Sequence, residues 1–257
     1  VNVHELLDLT GRVALVTGGS RGLGLAMAGA LAEMGASVAI SARKPAELAA
    51  ARAALATAGH TVGTFVADLS RPDAAVPLVD AIITQLGPID ILVNNAGTSW
   101  GAPAEDYPLD GWQKVIDLNL TGTWYLTQQV AKSSMIPRRY GRIINIASIT
   151  ALRGSTTEFK AVAYSTSKGG LLSLTRALAG EWGIHGITVN AICPGFIPSK
   201  MSRGILDKIG EDVIAATPLR RLGTEDDMKG IVVLLAGAGG RHITGQYFAV
   251  DGGMTAV

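Results

Sequence analysis

The chain has 257 residues, 48% of them hydrophobic, and its 22 basic and 21 acidic side chains leave a net charge of +1. No long basic run occurs, and pairs such as Arg138-Arg139 and Arg220-Arg221 are isolated, which argues against nucleic acid or anionic membrane as a partner. No apolar run reaches the ~20 residues that cross a bilayer, and Val1 to Leu9, with His4, Glu5 and Asp8, has the wrong chemistry for a signal peptide.

Arg12 to Thr17 is a short, β-rich apolar run ended by glycine, the pattern of a parallel strand buried on both faces. Thr17-Gly18-Gly19-Ser20-Arg21-Gly22-Leu23-Gly24 follows and flows into Leu25 to Met34, an alanine-rich helical segment. Ser37 to Ser41 reads as a second strand and Pro45 to Ala58 as a second helix, which completes a βαβ unit. In such a turn one glycine permits the sharp bend, one lets backbone approach a pyrophosphate, and one lets helix and strand pack closely. The helix start offers free N–H groups and a positive dipole end to that anion. The segment predicts dinucleotide binding.

Alternation continues down the chain. Thr61 to Ala67, Asp90 to Val93, Arg142 to Ala147, Ile187 to Cys193 and Gln246 to Val250 read as strands. Pro72 to Leu86, Leu109 to Leu118, Thr121 to Ile136, Tyr164 to Trp182 and Glu225 to Ala236 read as helices, with a break near Asn119. The whole predicts one doubly wound α/β domain over residues 1–257, with a parallel sheet of about seven strands. Ligands in such sheets lie at the carboxyl ends of strands, where Gly18, Asn95, Ser148 and Pro194 all fall.

Cys193 is the single cysteine and sits in Ala191-Ile192-Cys193-Pro194, a setting that suits a buried thiol in a reducing, cytoplasmic compartment. His4, His60, His185 and His242 lack metal-ligand spacing, so no metal is expected.

Tyr164 and Lys168 are one helical turn apart on one face. A free phenol, with a pKa of about 10, transfers protons poorly at neutral pH. An ammonium ~4 Å away favours phenolate by about 4 kcal/mol at an effective dielectric of about 20, or roughly three pKa units. The pair is therefore suited to proton transfer near pH 7. The spacing by itself also fits a packed tyrosine beside a solvated lysine. Of five tyrosines, however, only Tyr164 has a lysine four residues later.

Taken in order, Thr17-Gly18-x-x-x-Gly22-x-Gly24, Asp68-Leu69, Asn94-Asn95-Ala96-Gly97, Asn119, Ser148, Tyr164-x-x-x-Lys168 and Pro194-Gly195 resemble the short-chain dehydrogenase/reductase family from about Leu9 to Gly253. The resemblance implies a Rossmann-type fold and carbonyl–alcohol interconversion with a nicotinamide cofactor. It makes Tyr164 the general acid or base and Lys168 the cation that tunes it and holds the nicotinamide ribose. It makes Ser148 the donor to the substrate oxygen, and Asn119 the residue that keeps a helix locally open. Gly18, Ser20, Gly22, Leu23 and Gly24 would cradle the dinucleotide, with Asp68, Leu69, Asn95 and Gly97 on its adenosine side. Pro194, Gly195, Ile197 and Ser199 would meet the carboxamide. Read as plain structure, Asn119 caps a helix, Asp68 starts a turn before Pro72, and Ser148 bonds backbone at a strand end.

NAD-preferring members of that family carry an acidic residue after the second strand, whereas this chain has Ala42-Arg43-Lys44 there and Arg21 in the glycine turn. Two charge-assisted bonds to a 2′-phosphate, about 1.5–3 kcal/mol each, favour NADP(H). The segments around Trp100 and Ser199 resemble 3-oxoacyl reductases, while Glu181-Trp182-Gly183 and Pro218-Leu219 are similar to gluconate 5-dehydrogenases. Trp100 is expected at the pocket mouth and residues 195–217 as a mobile substrate loop with short helices. The Ser148–Tyr164 interval, with Ser155 to Lys160, is longer than the family's usual length and borders the substrate. The preferred substrate is an apolar-tailed ketone or 3-oxoacyl thioester. A sugar acid is the alternative, and a silent cofactor-binding sensor or scaffold is the rival of another class. Leu174, Ala177 and Leu178 mark the helix face through which the family forms tetramers.

Overall fold

The computed structural model describes residues 1–154, 160–200 and 202–257. The expectations placed on Ser155 to Phe159 and on Met201 therefore lie outside the described residues.

Seven strands form the centre: β1 (Val13–Thr17), β2 (Ser37–Ala42), β3 (Val62–Val66), β4 (Ile91–Asn94), β5 (Gly141–Ile146), β6 (Ile187–Pro194) and β7 (Tyr247–Val250). They make one sheet in the order β3-β2-β1-β4-β5-β6-β7, and every pairing is parallel. The helices are α1 (Val3–Leu7), α2 (Gly22–Glu33), α3 (Pro45–Thr57), α4 (Ala75–Leu86), α5 (Leu109–Ile116), α6 (Thr123–Val130), α7 (Ile136–Arg138), α8 (Val162–Trp182), α9 (Arg203–Ala216) and α10 (Lys229–Ala236).

Successive strand residues point to opposite faces, and β1 uses both. Ala14 and Val16 enter a core with Met27 and Leu31 of α2, Leu48 of α3 and Val232 of α10. Val13 and Leu15 enter a second core with Leu78 and Ile82 of α4, Leu126 of α6 and Leu178 of α8. Helices on both faces explain why the strands read as unbroken apolar runs. Each fully buried Leu or Ile contributes about 1.5–3 kcal/mol. The connection leaving β1 goes to β2 and the later one arrives at β4 on the other side, so the carboxyl ends of β1 and β4 open a crevice.

Three helical expectations change. The segments around Asn119 form one run rather than two helices. Asp117–Gly122 is a π-helical turn between α5 and α6, and Ala131–Met135 is a second one before α7. Most of Lys200 to Thr217 is the single 14-residue helix α9. The short α1 was not foreseen, although Asn2 and Glu5 form a capping box that the sequence displays.

Candidate active site

The crevice widens into a cavity of about 960 Å³ at the carboxyl ends of the strands. Gly18, Ser20, Arg21, Gly22, Leu23, Gly24, Arg43, Leu69, Asn95, Gly97, Ser148, Tyr164, Lys168, Pro194, Gly195, Ile197 and Ser199 all line it. Asp68 and Asn119 do not. Asp68 Oδ1 instead accepts from Ser70 N at 3.1 Å and Ser70 Oγ at 2.8 Å, a local turn.

The floor is built by the glycine turn. Gly22 opens α2 at φ +56°, a conformation other residues resist, and a Cβ there would meet only Glu225 Oε1 at 3.8 Å. Gly24 is closed on its other side: a Cβ would run into Gly18 O and lie 2.5 Å from Asn95 Nδ2. Asn95 Nδ2 donates to Thr17 O at 2.9 Å and Gly18 O at 3.2 Å, pinning β4 to the turn. Thr17 Oγ1 accepts from Asn95 N at 3.0 Å and Ala96 N at 2.9 Å. That anchoring role of Thr17 was not anticipated.

No side chain caps the first turn of α2, where Arg21 is the N-cap. Its N–H groups face the same end as the cavity, and the open side of Gly22 leaves room for a bulky anion. The donor set and cavity therefore fit a dinucleotide pyrophosphate. Arg21, Arg43 and Lys44 all line the side of the cavity at the end of β2, where a second phosphate on the ribose suits their charge.

The opposite wall carries the proton-transfer chemistry. A buried chain of bonds fixes α8 against the sheet. Asn94 Nδ2 donates to Thr127 Oγ1 and Asn145 Oδ1, each at 2.9 Å, and Asn145 Nδ2 donates to Thr175 Oγ1 of α8 at 2.9 Å. Tyr164 and Lys168 lie on that helix, with Lys168 Nζ 5.5 Å from the Tyr164 ring centre. Lys168 is 5% exposed and its ammonium donates to Ile146 O at 2.7 Å. Ser148, at the end of β5, is 7% exposed and hydrogen-bonds the Tyr164 phenol.

Burial governs the charges here. It lowers Lys168 to about 8, with the neighbouring Cys193 thiol opposing. It pushes Cys193 up to about 11. It also pushes the Tyr164 phenol up, with the Ser148 bond acting against it. The sequence-based expectation of a lowered phenol is reversed in this arrangement, because burial dominates and Lys168 is directed at Ile146.

Asn119 sits fully buried behind this wall, in the π-helical turn. Its Oδ1 accepts from Thr98 N at 2.8 Å, and its Nδ2 donates to Thr98 O and to Ser167 Oγ, each at 3.0 Å. A Cβ on Gly97 would approach Asn119 Oδ1 at 3.4 Å and Lys168 Nζ at 3.6 Å. The glycine thus leaves a gap flanked by the amide and the ammonium.

Trp100 does not stand at the mouth. It packs on Gly111 of α5, with Lys114 Nζ 5.0 Å over its ring, and Ser99 reaches the cavity instead. Glu47, Thr150, Arg203 and Leu206 also line the cavity and were not singled out from the sequence. Among the described residues no cluster of His, Cys, Asp and Glu is arranged to hold a metal. No described helix is long and apolar enough to cross a membrane.

Residues 18–255 match the family model described as enoyl-(acyl carrier protein) reductase. The chain is 41% identical over 256 residues to the rhamnolipids biosynthesis 3-oxoacyl-[acyl-carrier-protein] reductase of Pseudomonas aeruginosa, covering 98% of this chain and 99% of that one. This chain belongs to the short-chain dehydrogenase/reductase family. It is also 34% identical to the gluconate 5-dehydrogenase of Gluconobacter oxydans, over 98% of this chain and 97% of that one. A crystal structure of a gluconate 5-dehydrogenase from Burkholderia cenocepacia in complex with NADP and tartrate superposes with a TM-score of 0.94 at 32% identity, over 100% of both chains. The family places the chain among oxidoreductases acting on hydroxyl and keto groups.

Proposed function

We propose that this chain is an NADP(H)-dependent reductase of ketones, with 3-oxoacyl thioesters as its substrate class, built as one domain that carries cofactor and substrate sites together. The observation that carries the reading is the meeting of Tyr164, Lys168 and Ser148 on one wall of a cavity whose floor is the uncapped start of α2.

When bound, the nicotinamide cofactor supplies or accepts hydride. Gly18, Ser20, Gly22, Leu23 and Gly24 hold its pyrophosphate, and Arg21 and Arg43 hold the 2′-phosphate. Leu69, Asn95 and Gly97 border the adenosine side, where Asp68 acts only as the turn that presents Leu69. Pro194, Gly195, Ile197 and Ser199 face the carboxamide.

Ser148 donates a hydrogen bond to the substrate oxygen, and Tyr164 gives that oxygen its proton as negative charge develops. A phenol whose pKa burial has raised is protonated at neutral pH, the form that reduction requires. Lys168, while charged, favours the phenolate that reduction leaves behind. Asn119 positions Thr98 and Ser167 around the gap beside Gly97, through which a proton reaches Lys168.

The cavity lining also includes Ile149, Phe196, Ile205, Leu206 and Leu222, which suits an apolar acyl tail. Arg203, in the same lining, favours a second reading, a sugar acid whose carboxylate it would meet. Residues 195–217, mainly α9, form the substrate-covering segment in both cases. Assembly into a homotetramer and a cytoplasmic setting complete the proposal. Leu178 faces the protein's own core, so the assembly face of α8 is carried by exposed Ala177 with Leu174 at its edge.

NADPH oxidation with acetoacetyl and longer 3-oxoacyl thioesters, beside 5-ketogluconate, tests the reading. The expected result is higher kcat/KM for the acyl substrates and loss of at least ~10³-fold turnover in Tyr164→Phe, which removes the acid. NADPH should still bind to that variant. Undiminished turnover in Tyr164→Phe, or a sugar acid ahead of every thioester, overturns it.

A further inference from the structure

A carboxylate stands among the cations that face the end of β2. Glu47, in the first turn of α3, pairs through Oε1 with Arg21 Nη1 at 2.9 Å and with Lys44 Nζ at 3.4 Å. Lys200 lies within electrostatic reach of the same carboxylate from the segment before α9. Arg21, Arg43, Lys44, Lys200 and Glu47 all line the cavity.

Three elements thus point their charges at one place: the glycine turn, the start of α3, and the segment after β6. Glu47 completes the first turn of α3 favourably by itself, since acids are stabilised at helix starts. It has no need of Arg21 for that. The pair instead reaches from the glycine turn to α3 and joins the two elements through Arg21.

We propose that Glu47 is an internal counter-ion that competes with the cofactor's 2′-phosphate for Arg21 and Lys44, and so sets how strongly the chain prefers NADP(H) to NAD(H). The inference rests on the NADP(H) reading above. A phosphate entering this corner needs the donors that Glu47 now occupies, and it meets the repulsion of the carboxylate. A cofactor with a free 2′-hydroxyl carries no such charge and meets an acceptor instead. The carboxylate therefore weakens the phosphorylated cofactor and spares the other, which holds the preference below what the cations alone would give.

Glu47→Gln keeps the size of the side chain and removes its charge. Dissociation constants for NADPH, NADH and the fragments 2′-AMP and 5′-AMP, measured by calorimetry or fluorescence on the full chain, read the effect without turnover. In Glu47→Gln the NADPH and 2′-AMP constants should fall about threefold or more, the scale of two exposed ion pairs, while NADH and 5′-AMP stay within about twofold. Salt should shrink the gain, because these charges are exposed to screening. In an Arg21→Ala background the same substitution should gain less, since one competing pair is already gone.

If Glu47→Gln leaves NADPH binding unchanged, weakens it, or tightens NADPH and NADH equally, the inference fails. The cofactor reading has its own outcome: wild-type chain that binds NADH more tightly than NADPH refutes that reading. Wild-type preference for NADPH with no response to Glu47→Gln sinks only the counter-ion role.

Discussion

Lys168 Nζ donates to Ile146 O at 2.7 Å while lying 5.5 Å from the centre of the Tyr164 ring. The ammonium is thus held on the sheet beside the phenol and is not drawn to it as an ion pair. Its role in the wall is a charge supplied at short range inside a buried site, and that charge is lost when Lys168 titrates.

The pH dependence of reduction follows from this. Burial lowers Lys168 to about 8, so the side chain is cationic below that value and neutral above it. Tyr164, raised by burial, stays protonated throughout the neutral range. kcat/KM for ketone reduction should be level below pH 8 and fall as pH rises through it, since the phenolate left by proton transfer then loses its neighbouring charge. Initial rates with saturating NADPH from pH 6 to 10, in steps of about half a unit, check this. A flat profile across the whole range contradicts it.

Asn119 should matter to turnover more than to cofactor affinity. It makes its bonds to Thr98 and Ser167 rather than to the cavity. Asn119→Ala leaves Thr98 N–H and C=O without those partners, a cost of about 1–3 kcal/mol. It also loosens the gap beside Gly97. We expect kcat to fall by about 10²-fold, with the NADPH dissociation constant changing less than about threefold. Equal losses in the two quantities would mean that the residue serves only the fold.

At the other end of the sheet, Asp90 is 3% exposed and accepts from Val13 N at 2.9 Å, Arg138 Nη1 at 3.0 Å and Arg12 Nη1 at 3.3 Å. Asp90→Ala strands a buried N–H and leaves two partly exposed guanidinium groups without their carboxylate, and should cost about 2–3 kcal/mol in urea unfolding. Arg12→Ala, removing a more exposed partner, should cost less than about 1 kcal/mol. A loss of less than 1 kcal/mol in Asp90→Ala, on the scale of surface pairs, would show that the two arginines relax without it.

The strands and their order of function were legible because the sheet is covered on both faces. Burial on both sides makes β1 apolar from Val13 to Val16, and the glycine turn follows Thr17 directly. Side-chain chemistry that joins distant segments was not. Asn119 was read near a break between helices, yet its bonds go to Thr98, twenty-one residues away. The backbone instead widens into a π-helical turn. The Arg21–Glu47 pair spans 26 residues and two elements, so no local pattern announces it. Trp100 is expected at the mouth from its place in the Asn95–Ala102 stretch that resembles 3-oxoacyl reductases. Its ring is instead held over the bare backbone of Gly111, a contact set by how α5 docks.

The strands that bring Asn95 and Ser148 to the cavity, β4 and β5, begin beside Asp90, whose arginine partners fasten that opposite end. Fastening and chemistry are therefore separated by the length of a strand. A library that diversifies the rim at Ser99, Thr150, Arg203 and Leu206 can change what the protein accepts while its thermal tolerance is governed elsewhere.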